Sequence, residues 1–387
     1  MFALRDTKRL LTMLFKFEIS GFKSFNEKFS LNLNEVKEYS FNKEAVENNI
    51  VKMGIIYGVN GVGKSNLALA LFDIVFHVAP NNLGKSPSLY TNNYLNLETD
   101  KQYAEFIYSF NFDGTELIYS YKKRDLKEIL SEEIYIDGER AIFIDENKIL
   151  ECTLNGTDTL KKNLSETNVI SVITYINNNS ALDVEDYKNK AFLKFIKFVE
   201  KMLFFRSTEG NKYIGFEEET RIISQDIIER GNVQDFENFL NESGVECKLC
   251  EIEKEDGKKG IAFDFGKNKL PFWTGASTGT KALSLLYFWM QRLSDENNCA
   301  SLVFVDEFDS FYHHDLSDLI VEKLKKIKSQ VLLTTHNVSI MSNDILRPDC
   351  YFVMSKKDVL PLYAKTPKEL REANNLGKMY KAGSFND

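Results

Sequence analysis

Proline and cysteine are scarce in this chain, with 6 and 5 among 387 residues, and no low-complexity segment stands in for them. The cysteines, at 152, 247, 250, 299 and 350, are odd in number. The first ten residues, Met1 to Leu10, contain no apolar leader core. A disulfide framework is therefore not expected, and the reading is of a chain in a reducing cytoplasm. Cys247 and Cys250 form one CxxC inside an alternating stretch from Val245 to Ile252, and no second CxxC or nearby His pair completes a zinc site. The stretch reads as a strand. No apolar run approaches the roughly 18 residues of a membrane span. No sustained heptads announce a coiled-coil arm. A basic excess is missing too: Lys+Arg 49 against Asp+Glu 57 leaves a net charge of −8. That excludes a passive coat for nucleic acid, so any such contact is local or belongs to a partner.

What is present is ample apolar content, 43% of the chain, enough for two to three structural units at about 150 residues each. Residues 1–12 read as an extension, with Met13 an equally good start. Alternating residues predict strands over 14–20 and 29–33. Val51 to Tyr57 reads as a short buried strand, and residues 64–78 as a helix. Asp113-Gly114 and Asp137-Gly138 sit between alternating runs and predict two hairpins. The middle, 126–265, mixes helices (186–205, 233–241) with strands (247–253, 260–265). Beyond it come a helix over 280–293, a strand over 301–305, a helix over 316–328 and a strand over 331–335. Strand–helix alternation with short apolar strands predicts a mostly parallel α/β core.

Gly58-Val59-Asn60-Gly61-Val62-Gly63-Lys64-Ser65 fits G-x-x-x-x-G-K-[ST], with a strand before it and a helix after it. In such a loop the backbone N–H groups converge on phosphate oxygens at the positive end of the helix dipole. Lys64 is placed for the β- and γ-phosphates and the Ser65 hydroxyl for Mg²⁺. Gly58, Asn60, Gly61, Gly63, Lys64, Ser65 and the following Asn66 are the expected nucleotide contacts, with ATP and Mg²⁺ as cofactors. Farther on, Ser301 to Val305 ends in Asp306-Glu307. A carboxylate at the C-terminal end of a parallel strand lies beside the phosphate loop, which assigns Asp306 to the metal and Glu307 to the attacking water. His336 follows the next apolar strand and reads as a γ-phosphate sensor. Ser277 and Gly279, in Ser277-Thr278-Gly279-Thr280-Lys281, open a helix and form a second anion cradle.

Together with Ile19-Ser20-Gly21-Phe22-Lys23-Ser24-Phe25 near the start and the tail from Leu370 to Phe385, this set resembles the ATP-binding-cassette-type heads of SMC and DNA-repair ATPases. Within them it is most similar to the compact, OLD-related ATPases of bacterial phage-defence cassettes. The likeness covers about 13–125 and 266–387. It implies a P-loop NTPase of α/β class with a two-lobed head: an N-lobe over 13–125, a C-lobe over 266–387, and 126–265 as a mixed α+β insertion for sensing or partner docking. It also implies two protomers sandwiching ATP, with Ser277 and Gly279 of one completing the site of the other, as a dimer or higher homo-oligomer. Ser-Thr-Gly-Thr-Lys differs from the Leu-Ser-Gly-Gly-Gln of transporters, which leads away from membrane transport. Gln102 is a candidate for the Mg²⁺-contacting Gln of the N-lobe, and the segment 311–315, with His313 and His314, resembles a loop that contacts the partner protomer.

The resemblance further implies an anti-phage cassette in which the ATPase holds or releases a separate effector such as a nuclease, since no acidic cluster of nuclease type follows His336. The rival expectation is an SMC- or repair-like DNA-binding head. The basic runs Lys122-Lys123-Arg124 and Lys323 to Lys328 are the features it would use, although such runs are more often solvated faces.

Overall fold

The computed structural model describes residues 12–79, 90, 92–164, 171–206, 212–215, 223–253, 257–294, 299–310 and 314–385. The expected extension, apart from Thr12, and His313 lie outside these. Two seven-stranded sheets dominate. The first is antiparallel and runs, in order, Lys148–Cys152, Glu139–Asp145, Ile129–Ile136, Thr115–Lys123, Ala104–Phe112, Thr12–Ser20 and Phe29–Asn32. Both Asp-Gly hairpins form where expected, with Asp113 at φ +58° and Asp137 at φ +48° supplying the left-handed first turn residue.

The second sheet is the α/β core. Leu203–Arg206, Leu302–Asp306, Gln330–Thr335, Met53–Tyr57 and Tyr351–Met354 lie side by side and parallel. Lys212–Gly215 and Val359–Pro361 close the edges antiparallel. The parallel strands therefore end along one border, and the loops after Tyr57, Asp306 and Thr335 gather there. The strand Gln330–Thr335 separates the strand of the phosphate loop from the acidic strand.

The helix Lys64–Phe72 lies between the two sheets. Seven of its residues are buried, on all sides, because one flank meets the core sheet and the other the antiparallel one. The Phe72 ring packs on Phe204 and Phe304 at 5.3 and 6.4 Å, while the Tyr108 hydroxyl donates to the carbonyl of Ala70 at 3.0 Å. A helix apolar all round is what a two-sided burial demands.

Several expectations are corrected. The helix over 64–78 breaks at Asp73 and resumes over Val75–Val78. Asp73 and Ile74 keep right-handed helical backbone, but the hydrogen bonds tighten to i,i+3 spacing there, Asp73 N–H to the Ala70 carbonyl at 3.3 Å and Phe76 N–H to the Asp73 carbonyl at 3.2 Å, while the Asp73 carboxylate accepts from Tyr94, Tyr121 and Lys123. The helix over 186–205 ends at Glu200, and its last residues form the strand Leu203–Arg206 inside the core sheet. Ile129–Cys152 continues the antiparallel sheet across residue 125. The first sheet and the core both draw strands from 126–265. The helix over 316–328 runs instead over His314–Lys325.

Of the basic runs, Lys123 and Lys325 are not solvated: their side chains are 0% and 3% exposed and paired with Asp73 and with Glu322 and Glu44. Among the described residues no helix is long and apolar enough to cross a membrane.

Candidate nucleotide-binding site

The strand Met53–Tyr57 is wholly buried and delivers the chain into the loop at Gly58. Space dictates two of the glycines. A Cβ on Gly58 would lie 2.8 Å from a methyl of Val62 and 3.0 Å from the carbonyl of Met354. At Gly63, φ is +110° and a Cβ would meet Ser24 Oγ at 2.9 Å, so the loop can close against the N-terminal turn only with glycine there. Asn66 Nδ2 donates to the same Ser24 Oγ at 3.0 Å. The Gly21–Phe25 turn thus braces the loop from the side, a contact the sequence hinted at only through its resemblance.

Lys64 is buried and turns back on its own loop, donating to the carbonyls of Gly58 (2.7 Å) and Val59 (3.3 Å). Burial pushes its ammonium below the usual lysine range, while Glu307 and Asp306 pull it back up. Ser65 Oγ donates to Asp306 Oδ2 at 2.6 Å, across 241 residues of sequence. Asp306 Oδ1 accepts from Thr334 Oγ1 at 2.7 Å, and the Glu307 N–H donates to that same hydroxyl at 2.8 Å. Ser310 Oγ donates to the carbonyl of Glu307 at 2.9 Å, closing the turn that follows.

Thr335 stands opposite Tyr57 in register, so His336 leaves the sheet beside Gly58, exposed to solvent. The structure therefore brings together Gly58, Asn60, Gly61, Gly63, Lys64, Ser65, Asn66, Asp306, Glu307 and His336 along one border. Ser277 and Gly279 are elsewhere: Ser277 caps the helix Thr278–Leu293, accepting from the Thr280 N–H at 3.1 Å. Among the described residues no hydrogen bond joins either to the phosphate loop. Gln102 is exposed in the bend before Ala104–Phe112. Sequence reasoning missed Thr334, whose only signal was a pair of threonines between an apolar strand and His336.

The donor set can be tested against a divalent cation. Ser65 Oγ and Asp306 Oδ2 are hard oxygen donors already in contact, a fit to Mg²⁺, which takes one or two protein oxygens and completes its shell with phosphate and water. Among the described residues no group of three His, Cys, Asp or Glu side chains forms a metal cage.

Solved structures similar to this chain include an SMC head bound to the C-winged helix domain of ScpA, with 18% identity over 91% of this chain and 99% of that one, at a TM-score of 0.48. The SMC head domain from Thermotoga maritima gives 15% identity over 90% and 98%, at 0.43. The recombination mediator RecF with ATP gives 14% over 91% and 99%, at 0.40. No curated protein matches the chain significantly. Residues 55–342, which contain the loop, the acid pair and His336, match the family described as "AAA domain, putative AbiEii toxin, Type IV TA system". This chain belongs to that family of P-loop ATPases.

Proposed function

We propose that the chain is a Mg²⁺-dependent ATPase that dimerises head to head around ATP and regulates a separate effector, a nuclease by expectation, in anti-phage (abortive infection) defence. The observation that carries the catalytic part is the convergence of Lys64, Ser65, Asp306 and Glu307 at the border where the parallel strands end.

In this reading the loop N–H groups and Lys64 bind the β- and γ-phosphates. To do so, the ammonium exchanges its bonds to the Gly58 and Val59 carbonyls for phosphate oxygens. Ser65 and Asp306 would hold Mg²⁺, which when bound neutralises charge on the β- and γ-phosphates. Glu307 takes a proton from the attacking water, and His336 donates toward the γ-phosphate. Ser277 and Gly279 stand at an exposed helix start, available to a second copy's nucleotide. The defence role is supported by the family description, which names a putative AbiEii toxin of a type IV TA system, and by the resemblance of the motifs to those of phage-defence ATPases. The burial of Lys123 and Lys325 takes central members out of both basic runs and counts against the rival DNA-binding head.

Glu307→Gln tests the reading: it is expected to bind ATP, accumulate as a dimer by light scattering, and lose turnover. Hydrolysis at the wild-type rate would refute the role of Glu307. Lys64→Ala is expected to lose nucleotide binding, and unchanged binding would remove the phosphate-loop assignment. DNA-stimulated, salt-sensitive turnover would favour the rival.

A further inference from the structure

The strand Gln330–Thr335 ends in two threonines, both fully buried. Thr334 meets three consecutive residues of the acidic loop. Its hydroxyl donates to Asp306 Oδ1 at 2.7 Å and accepts from the Glu307 N–H at 2.8 Å. Its carbonyl accepts from the Phe308 N–H at 3.2 Å. With Ser65 on the other oxygen, the Asp306 carboxylate is held at both ends and cannot rotate.

The backbone of Glu307 makes this grip consequential. Its φ is +51°, a left-handed conformation that a non-glycine residue adopts only when its surroundings impose it. The two bonds from Thr334, one to the N–H of Glu307 and one to the N–H that follows it, bracket that strained residue. Releasing them would let Glu307 relax and swing its carboxylate away from the border. Thr335 repeats the device one residue later. Its hydroxyl donates to Asp309 Oδ1 at 2.8 Å and accepts from the Asn337 N–H at 2.8 Å, spanning His336. A threonine suits both places because its hydroxyl gives and accepts at once, and its branched Cβ restricts χ1.

We propose that Thr334 is a positioning residue that sets Asp306 and Glu307 for hydrolysis, and that Thr335 ties the same acidic loop to the turn carrying His336. The catalytic half of this inference rests on the assignment of Asp306 and Glu307 given above; the structural half does not.

The test compares Thr334→Val, which keeps the shape and removes the hydroxyl, with Thr334→Ser, which keeps the hydroxyl. Thr334→Val is expected to lower kcat about tenfold or more while the ATP Kd stays within about twofold. Thr334→Ser is expected to recover most of the rate. Amide exchange over residues 306–310 is expected to quicken about tenfold in the Val variant and hardly at all in the Ser variant. In the unmodified chain the Glu307 amide is expected to exchange more slowly than that of exposed Ser310, a check that no folding failure of a variant can spoil.

Wild-type kcat in Thr334→Val, equal losses of kcat and affinity, or unchanged exchange over 306–310 would each overturn the proposal. A wild-type chain without Lys64-dependent turnover would sink the ATPase reading instead, and the exchange comparison would still decide what Thr334 does.

Discussion

Lys123→Met removes a cation from a place where no water can replace it. The Lys123 side chain is 0% exposed, and its Nζ lies 2.6 Å from Asp73 Oδ1. Burial alone pushes this ammonium below the usual range, with Asp73 pulling it back up. Methionine preserves most of the aliphatic stem, so the loss is electrostatic rather than one of packing. Breaking a buried pair by removing one partner costs about 3–5 kcal/mol, because the remaining charge is stranded. Asp73 keeps the Tyr94 and Tyr121 hydroxyls at 2.9 Å each, so the expected cost lies at the lower end, about 3 kcal/mol. The double variant Asp73→Asn/Lys123→Met removes both charges and leaves a carbonyl for one tyrosine hydroxyl to donate to and an amide N–H for the other to accept. It is expected to cost less than Lys123→Met alone, about 1–2 kcal/mol. Equilibrium urea unfolding followed by circular dichroism measures both. The reasoning fails if Lys123→Met lies within about 1 kcal/mol of wild type, or if the double variant costs as much as the two single changes added together.

Three more outcomes are expected. His77 is fully buried and its imidazole pKa is pushed well below the usual value by burial, with Lys123 adding to the shift. The unfolded chain therefore takes up a proton below about pH 6.5 that the folded chain refuses. Stability is complete above that pH and falls as the pH drops, by up to about 1.4 kcal/mol per unit. Melts from pH 7 to 5 are expected to show a shallower loss in His77→Gln; equal slopes would exclude His77 as the source. Gly63→Ala, strained in φ and pressed on Ser24, is expected to weaken binding of a fluorescent ATP analogue about tenfold or more, and wild-type affinity would contradict the loop geometry. Tyr380→Ala removes the ring that packs between Tyr57 and Phe385 and is expected to cost about 1–2 kcal/mol in urea unfolding, whereas Tyr380→Phe is expected to be near neutral; equal costs would assign the role to the hydroxyl.

The features legible in the sequence were those whose cause is local. A glycine-rich turn between strand and helix, an acid pair ending an apolar strand, and Asp-Gly between alternating runs carry their geometry with them. What was illegible depends on residues far away in the chain. Lys122-Lys123-Arg124 looks like one solvated run, but strand alternation turns Lys123 inward to Asp73, 50 residues earlier. Phe204 and Phe205 continue a helical pattern in sequence, yet four residues from Leu203 pair with the acidic strand. Thr334 carries no motif. Its function follows from having Asp306 and Glu307 as neighbours across the sheet, a fact of pairing and not of spacing.

The helix that begins at Lys64 also bears on how 126–265 relates to the nucleotide site. Its continuation, Val75–Val78, carries His77. The carbonyl of His77 accepts from Thr174 Oγ1 at 3.0 Å. The His77 Nε2 meets the Tyr119 hydroxyl at 2.9 Å, and that hydroxyl donates to Glu132 at 2.8 Å. Burial pushes the His77 imidazole toward its neutral form, so its bond to the Tyr119 hydroxyl joins a neutral ring to a phenol. Glu132 in turn accepts from Ser171 Oγ and from the N–H of Val172, holding the start of the helix Val172–Asn179. The Val75–Val78 turn that follows the phosphate-loop helix is therefore joined to the Val172–Asn179 helix twice, through the His77 carbonyl and through its ring. A displacement at one end must carry the other along or leave buried polar groups unsatisfied, each at about 1–3 kcal/mol. The start of the Val172–Asn179 helix is thereby tied to the turn that follows the phosphate-loop helix.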